Sequence, residues 1–242
     1  MHSGQLPLGS HPVLKPFFNH DLHAPRGAPN PSCEAPMNHT HYAHLPLPDT
    51  LKPCIDFHGH LCPGLVYGYL VAVESLRLLG EDRSEDEELV AISENDACSV
   101  DALQVLLGTT AGKGNLTITN IGKNVYTVFS RQAGKGFRFS RKSTYAYTGR
   151  DPEVFEELEL KLAEGTATAD EKKQQKLMKT VDLLQKSVDE VFEITDAAIP
   201  EPAFAELAPS VACAVCGELT MQTKMVQKGE TLLCRPCAEG AL

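Results

Sequence analysis

The sequence predicts an α+β protein, in which mixed helices and an antiparallel-rich sheet form the core and a small four-cysteine zinc finger follows at the C-terminus. Three observations predict it. An apolar segment, 65–79, lies between Pro63 and Gly80, residue types that favour a helix start and a helix stop. Short β-branched segments follow, and a Gly-containing loop typical of a hairpin joins two of them. Two Cys-x-x-Cys pairs lie near the end of the chain.

Composition bounds the classes of function. The chain has 242 residues, a net charge of -10 and 42% hydrophobic residues. The hydrophobic content is enough for a core. The negative net charge means that the chain lacks the basic surface that a nucleic-acid binder needs. No segment reaches the length of a membrane span, and the N-terminus lacks the apolar core of a signal peptide. We therefore expect a cytoplasmic protein without membrane or nucleic-acid partners. In that compartment its 8 cysteines indicate metal or redox chemistry rather than structural disulfides.

Residues 1–50 differ in composition from the rest of the chain. Pro, His, Asn and Ser dominate there, and the histidines are scattered rather than consecutive. We predict a disordered His/Pro-rich extension, with loose metal binding by its histidines as the alternative. Because Met37 leads directly into the core, a translation start at Met37 is a further expectation. The predicted domains are thus 1–50, a core at 51–200 and a zinc finger at 210–242.

The segment 54–64 concentrates ligand-type side chains at the predicted helix start. Cys62 occupies the N-cap directly before Pro63, where the helix dipole and free N–H groups lower a thiol's pKa. His58 and His60 precede it at two-residue spacing, so an extended segment would project all three side chains from one face. Imidazole and thiolate together suit zinc, nickel or iron. The alternative is a small buried thiol beside loop-capping histidines.

A second polar cluster follows the predicted strand 89–92. A helix of residues 100–107 begins inside it, capped by Cys98 or Ser99, with Asp101 in its first turn, where negative charge is favoured. Two helix starts of this kind can converge on one pocket, although ordinary capping and packing would also explain these residues. The candidate catalytic residues are Cys62, Cys98 and Asp96.

The Gly-rich segment 108–115 is not a Walker A loop, because three residues rather than four separate its first Gly from Gly-Lys. A helix stop and a turn explain it best. As the alternative, its N–H groups could face an anion, with Lys113 neutralising the bound charge. The other predicted core elements are strands at 116–120, 125–130, 136–140 and 191–195, and helices at 151–163 and 168–188.

The strongest signal in the sequence is the set of four cysteines Cys213, Cys216, Cys234 and Cys237. Two Cys-x-x-Cys pairs at this separation fit a structural zinc site, whose four thiolates close a tetrahedron and leave no position for a substrate. A unit of about thirty residues needs a bound metal of this kind, because its apolar core is too small to stabilise the fold alone. A redox dithiol pair and an iron–sulfur site are the alternatives.

Three blocks of this sequence resemble the FmdE family, whose name comes from the E subunit of formylmethanofuran dehydrogenase. They are 57–64 (Phe-His-Gly-His-Leu-Cys-Pro-Gly), 95–102 (Asn-Asp-Ala-Cys-Ser-Val-Asp-Ala) and 112–116 (Gly-Lys-Gly-Asn-Leu). The resemblance covers about residues 51–200, and some members also carry a C-terminal treble-clef zinc finger, which the four cysteines match. It implies an α+β core, homodimers and a metal-binding cleft. The cleft residues that it implies are His60, Cys62 and Cys98.

In methanogens the name-giving subunit accompanies a molybdenum or tungsten enzyme that reduces carbon dioxide to a formyl group. The resemblance therefore implies a metal-binding accessory or redox subunit of such an enzyme system. A transition-metal carrier or sensor, and a protein-interaction module that uses the zinc finger, are the alternatives. The expected cofactors are structural zinc in the finger and a second transition metal (zinc, nickel or iron) in the core. The candidate ligands of the second metal are His58, His60, Cys62 and Cys98.

Overall fold

The computed structural model describes residue 42 and residues 45–198 and 200–240. The predicted His/Pro-rich extension falls almost wholly on residues outside this range, as does the expected start at Met37, so both stay predictions.

The core contains six α-helices and five strands within the described residues. The helices are α1 (Lys52–His58), α2 (Pro63–Leu79), α3 (Ser99–Leu107), α4 (Pro152–Ala163), α5 (Ala169–Gln185) and α6 (Val188–Val191). The strands are β1 (Leu89–Ser93), β2 (Leu116–Ile118), β3 (Val125–Ser130), β4 (Lys135–Arg141) and β5 (Phe192–Asp196). These bounds confirm the predicted elements to within a few residues, and the short helices α1 and α6 are the two that the sequence did not predict.

The five strands form one sheet in the order β2-β1-β3-β4-β5. β1 pairs with β2 in parallel, and the other three pairings are antiparallel. The β3–β4 hairpin pairs Val125 with Ser140 and Ser130 with Lys135. The predicted α+β class with an antiparallel-rich sheet is therefore confirmed.

Helix α2 is the centre of the core. It begins at Pro63, ends at Gly80 in the left-handed conformation, and is buried on most of its circumference. A Cβ atom at Gly68 would lie 2.1 Å from the backbone oxygen of Ser99, so the absence of a side chain there allows α2 and α3 to pack at close range. Three edge-to-face aromatic contacts on Phe192 fill the space between helix and sheet.

The segment that follows the core is tied to it by Arg131. Its guanidinium donates to the backbone oxygens of Pro202 (2.9 Å) and Ala203 (3.3 Å) and lies 3.8 Å from the centre of the Phe204 ring. The Glu87 carboxylate, 3.5 Å from the same guanidinium, accepts the N–H of Ala205. This segment, although it separates the core from the zinc finger in the sequence, therefore packs on the core.

The C-terminal module, residues 210–240, is built from two small hairpins and one helix. The hairpins are β6 (Ser210–Ala212) with β7 (Leu219–Met221) and β8 (Val226–Lys228) with β9 (Thr231–Leu233), and α7 spans Arg235–Glu239. Its buried apolar residues are Leu233 and two cysteines, Cys213 and Cys234. So small a core agrees with the expected dependence on a metal.

In the part of the chain that the structure describes, no helix combines the length and the apolar character required to cross a bilayer.

Candidate metal centres

The first candidate centre is formed at the junction of α1 and α2. Helix α1 ends at His58, and Gly59 follows in the left-handed conformation with φ +89°. Cys62 is extended (φ -151°, ψ 163°) and caps α2, where its sulfur accepts the N–H of Leu65 at 3.4 Å. The predicted N-cap position is confirmed, and the 58–62 segment is not extended, because His58 still belongs to α1 and Gly59 is left-handed. A helix end and a tight turn, rather than a strand face, bring these side chains together.

The three ligand-type side chains of this junction converge. One donor atom each from His58, His60 and Cys62 lies within 4.8 Å of the other two. The Nε2 atom of His58 is 3.7 Å from the sulfur of Cys62, close to the separation of about 3.6 Å that a tetrahedral site with usual Zn–N and Zn–S distances requires. The two imidazole rings lie 4.4 Å apart between centres. We call this set the core cluster.

Asp101 orients the core cluster from α3. Its carboxylate lies 2.7 Å from Nδ1 of His58, while Nε2 of the same ring faces Cys62. A carboxylate on one ring nitrogen fixes the tautomer and leaves the other nitrogen free for a metal. From the sequence Asp101 is explained as a first-turn charge, because nothing in the sequence pairs two residues 43 positions apart.

Buried hydrogen bonds hold the start of α3 in place. The Tyr126 hydroxyl donates to Ser99 at 2.8 Å, and the Ser99 hydroxyl lies 3.3 Å from the side-chain oxygen of Asn95. The amide nitrogen of Asn95 in turn donates to the backbone oxygen of Lys123 at 2.8 Å. A satisfied buried network is rigid, so the carboxylate of Asp101 is carried by a well-anchored helix start.

Burial decides the electrostatics of Cys62. It raises the pKa of the Cys62 thiol to about 11, against the lowering effect of the Leu65 N–H, and the neighbouring Cys98 raises the pKa further. The N–H groups at the helix start lower this pKa, as the N-cap position predicts, but removal from water outweighs them, so the net shift is upward. The pKa of His60 is lowered by burial first, and by His58 and Lys176. A bound metal would still deprotonate the thiol.

Cys98 lies beside the core cluster without joining the three converging donors. A Cβ atom at Gly64 would be 3.4 Å from the sulfur of Cys98 and 3.8 Å from that of Cys62, so the two thiols face each other across a glycine. Cys98 is the residue before α3, as predicted, but its side chain makes no capping hydrogen bond.

Two other candidate residues make contacts away from the core cluster. Asp96 is exposed and accepts the side-chain N–H of Asn120 at 2.8 Å. Lys113 donates to the backbone oxygens of Ser84 (3.4 Å) and Glu85 (3.0 Å) in the loop that follows α2. That loop comes after the C-terminal end of α2, and roughly 25 Å of helix separates this end from Cys62. The ammonium of Lys113 is therefore hydrogen-bonded to the loop that follows α2.

The second candidate centre is the four-cysteine cluster of the C-terminal module. The sulfurs of Cys213, Cys216, Cys234 and Cys237 all lie within 4.8 Å of one another. The sulfur of Cys216 is 3.8 Å from that of Cys234, which is about the sulfur–sulfur separation in a tetrahedral zinc site with Zn–S bonds of about 2.3 Å. The cluster could therefore bind zinc or a similar metal.

Backbone N–H groups support one thiolate of this cluster. Hydrogen bonds from the N–H groups of Cys216, Cys234 and Val215 lower the pKa of Cys213 to about 6. The contact with Cys234, ahead of burial, raises the pKa of Cys237 to about 12. Gly217 has φ +76°, and its N–H donates to the oxygen of Cys213 at 2.9 Å, which closes the turn after the first pair. Four thiols this close cannot all ionise without a cation between them.

Comparisons with known proteins agree with this architecture. The family model described as "FmdE, Molybdenum formylmethanofuran dehydrogenase operon" matches residues 57–198, more than half of the chain. The crystal structure of a "tungsten formylmethanofuran dehydrogenase subunit e (fmde)-like protein" from Syntrophus aciditrophicus is similar over 79% of this chain and 91% of its own, with a TM-score of 0.51 and 23% identity. At that identity the likeness concerns the fold.

A curated relative gives a partial match. It is the "Probable S-adenosyl-L-methionine-binding protein" of Archaeoglobus fulgidus, 28% identical over 190 residues, which are 76% of this chain and 50% of the relative. The chain thus spans about half the length of the curated relative that it matches.

Proposed function

The chain belongs to the FmdE family, and from this premise we propose that it is a metal-binding accessory or redox subunit that works with a molybdenum or tungsten enzyme in the cytoplasm. The family is associated with molybdenum formylmethanofuran dehydrogenase operons. The proposal places a transition metal in the core cluster and zinc in the four-cysteine cluster. It includes the homodimer that the family resemblance implies.

The observation that carries the proposal is the convergence of His58, His60 and Cys62 with an orienting carboxylate behind them. Three protein ligands leave one position of a tetrahedral metal open, as in catalytic sites, whereas four ligands close it. When bound there, a metal would supply Lewis-acid chemistry at that open position.

The chain's own residues prepare the cluster for a cation. Asp101 holds a proton on Nδ1 of His58, so that the lone pair of Nε2 stays available. The Leu65 N–H stabilises charge on the sulfur of Cys62, and burial of Cys62 excludes water from that side. Cys98 places a second thiol within reach of the same sulfur. In such a site, His58 and Cys62 are held in place by the protein, while His60 stays accessible to solvent.

A second candidate function is that of a transition-metal carrier or sensor. It is favoured by the exposure of His60, which lies on the solvent side of the cluster. A ligand that water can displace allows the metal to leave without unfolding the chain. The carrier function predicts rapid transfer of the metal to a chelator and no turnover.

Metal analysis of the full chain tests the proposal. We expect about two metal ions per chain in the unaltered protein, and about one in Cys62→Ser and in His60→Ala, because each removes a core ligand and spares the four cysteines. Cys54→Ala is the matched control, since Cys54 is buried in α1 and is not one of the converging donors. One ion per chain in the unaltered protein, held by the four cysteines alone, would contradict the proposal.

Transfer kinetics separate the two functions. A core metal that a zinc or nickel chelator removes within minutes, while the four-cysteine metal stays, favours the carrier. A core metal that stays bound under the same conditions favours the accessory or redox subunit.

A further inference from the structure

A cavity of about 250 Å³ lies beside α2, between the end of β4 and the C-terminal end of α5. It contains none of the converging ligands of either metal cluster. Its polar and charged lining includes Tyr67, Arg141, Lys142, Tyr145, Thr148 and Lys186.

Two of the three cations in this lining have protein partners. The ammonium of Lys186 lies 3.5 Å from the carboxylate of Asp182 and donates to the hydroxyl of Thr148 at 2.9 Å. The ammonium of Lys142 donates to the backbone oxygen of Asp189. These two side chains therefore form part of the cavity wall. The charge of Lys186 is paired with Asp182, and the ammonium of Lys142 is hydrogen-bonded to the backbone.

Arg141 is different, because its guanidinium has no carboxylate within ion-pair distance among the described residues. Its Cζ atom lies 4.6 Å from the centre of the Tyr67 ring. This cation–π contact holds the planar group at the cavity wall but satisfies none of its N–H donors. A guanidinium held in this way presents a fork that matches a carboxylate or phosphate.

The acids nearby are engaged elsewhere. Glu190, the acid in the lining, accepts the N–H of Ser187 at 2.8 Å and the hydroxyl of Ser187 at 2.6 Å, and these bonds lower the pKa of Glu190. Asp182 accepts the Tyr145 hydroxyl and both the N–H and the hydroxyl of Thr148. Neither carboxylate lies within ion-pair distance of Arg141 among the described residues.

Two further groups near the cavity favour binding of an anion: a buried hydroxyl and another ammonium. The Tyr67 hydroxyl is buried and has no hydrogen-bond partner among the described residues, and a buried polar group of this kind calls for a partner that is not protein. The half-buried ammonium of Lys179 lies 4.7 Å from the centre of the Tyr145 ring, which places another cation next to the cavity.

We propose that this cavity binds a small organic or inorganic anion through a carboxylate or phosphate group, with Arg141 as the bidentate donor. The volume lies below the range of roughly 300–1,000 Å³ typical of drug-sized ligands, so the site suits an anion of a few heavy atoms rather than a nucleotide. The inference goes beyond the proposed function, because it does not depend on a metal in either cluster.

The test is calorimetric titration of the full, metal-loaded chain with inorganic phosphate and, separately, with acetate, at constant ionic strength set with sodium chloride. We expect saturable binding of one of the two anions with one site per chain, and the anion that binds identifies the group that the cavity accepts. Arg141→Gln should weaken the binding about tenfold or more, the usual range for loss of a charged hydrogen bond. Arg77→Gln is the matched control, since Arg77 pairs with Glu74 at the other end of α2, and should bind as the unaltered chain does.

Two more variants keep the test decisive if Arg141→Gln fails to fold. Arg141→Lys keeps the charge but loses the fork, and should weaken binding severalfold. Tyr67→Phe should weaken binding without lowering the midpoint of thermal unfolding in the absence of anion, because it removes an unpaired buried hydroxyl. Absence of saturable binding of both anions, or equal affinity in the Arg141 variants and Arg77→Gln, would overturn the proposal.

Discussion

The two candidate metal-binding clusters of this chain differ in what holds their side chains in place. The four cysteines of the C-terminal module belong to a unit of two hairpins, whose strands have three residues each, and a five-residue helix, and Leu233 is the one buried apolar residue besides cysteine in the described part of the module. The core cluster sits on the junction of α1 and α2, and the residues beneath it belong to a large apolar core. The first cluster lies in a module with almost no apolar core of its own, and the second lies on a large apolar core.

The difference also appears in the ligands themselves. The four sulfurs lie within 4.8 Å of one another, and one of them, that of Cys213, is supported by backbone N–H groups, which are available in any tight turn. The core cluster has three donors of two kinds, and its support comes from a carboxylate on another helix. A metal site with four protein ligands stabilises the fold around it. A site with three ligands and an orienting carboxylate is suited to catalysis or to exchange of the metal.

The largest expected effect is that of Cys213→Ser on the C-terminal module. It should release one metal ion per chain and unfold residues beyond about 210, because structural zinc supplies about 10–16 kcal/mol in small modules. The core should keep its cooperative melting, as measured by circular dichroism and hydrogen exchange.

The exposed neighbour Val215 provides the control, since Val215→Ser changes the same turn without removing a ligand. Loss of cooperative melting in the core of Cys213→Ser would show that the predicted division into 51–200 and 210–242 is wrong. The contacts of Arg131 with the intervening segment make this a sharp test.

The next effect concerns the packing that positions the core cluster. Gly68→Ala should lower the free energy of unfolding of the core by about 3 kcal/mol, because the new Cβ meets the Ser99 oxygen at 2.1 Å. By moving α3 it should also weaken metal binding in the core cluster, while the four cysteines keep their metal. Gly112→Ala, which places a Cβ in open space, should change neither. Urea denaturation with metal analysis measures both quantities, and equal stability of the two variants would contradict the close-packing argument.

A smaller effect separates two carboxylates near the start of α3. Asp101→Asn should weaken metal binding in the core cluster about tenfold or more, the usual result when a carboxylate that orients a ligating histidine is lost. Asp96→Asn should leave it unchanged, because Asp96 is exposed and bonded to Asn120. Competition with a chromophoric chelator measures the affinity. The reverse order would restore Asp96, the candidate that the sequence favours, as the functional carboxylate.

The smallest effect is expected at Lys113. Lys113→Met should cost about 1 kcal/mol of unfolding free energy, the usual contribution of such hydrogen bonds, because the contacts with Ser84 and Glu85 are lost. Metal content and the phosphate or acetate affinity of the cavity should not change. A loss of anion binding in this variant would support the anion role that the Gly-rich segment suggested.

Much of the fold could be predicted because its signals are local. Pro63 and Gly80 mark the two ends of α2, and Thr168 with Glu171 forms a capping box at the start of α5. β2 is shorter than predicted, since pairing with β1 extends only over Leu116–Ile118. The core site could be predicted only in part, because the His and Cys spacing indicated which residues meet but suggested the wrong backbone conformation between them.

The sequence by itself determined the elements whose causes lie within a few residues, namely the helix ends and the hairpins, and it also singled out the four cysteines whose sulfurs lie together. The tertiary structure alone decided the surroundings of the core cluster. The carboxylate of Asp101 on α3 reaches His58 at the end of α1 across 43 positions of the sequence, and the pKa of Cys62 rises because the completed core removes the thiol from water. Capping and turn formation depend on neighbouring residues, whereas burial and long-range hydrogen bonds depend on segments that meet only when the whole core is packed.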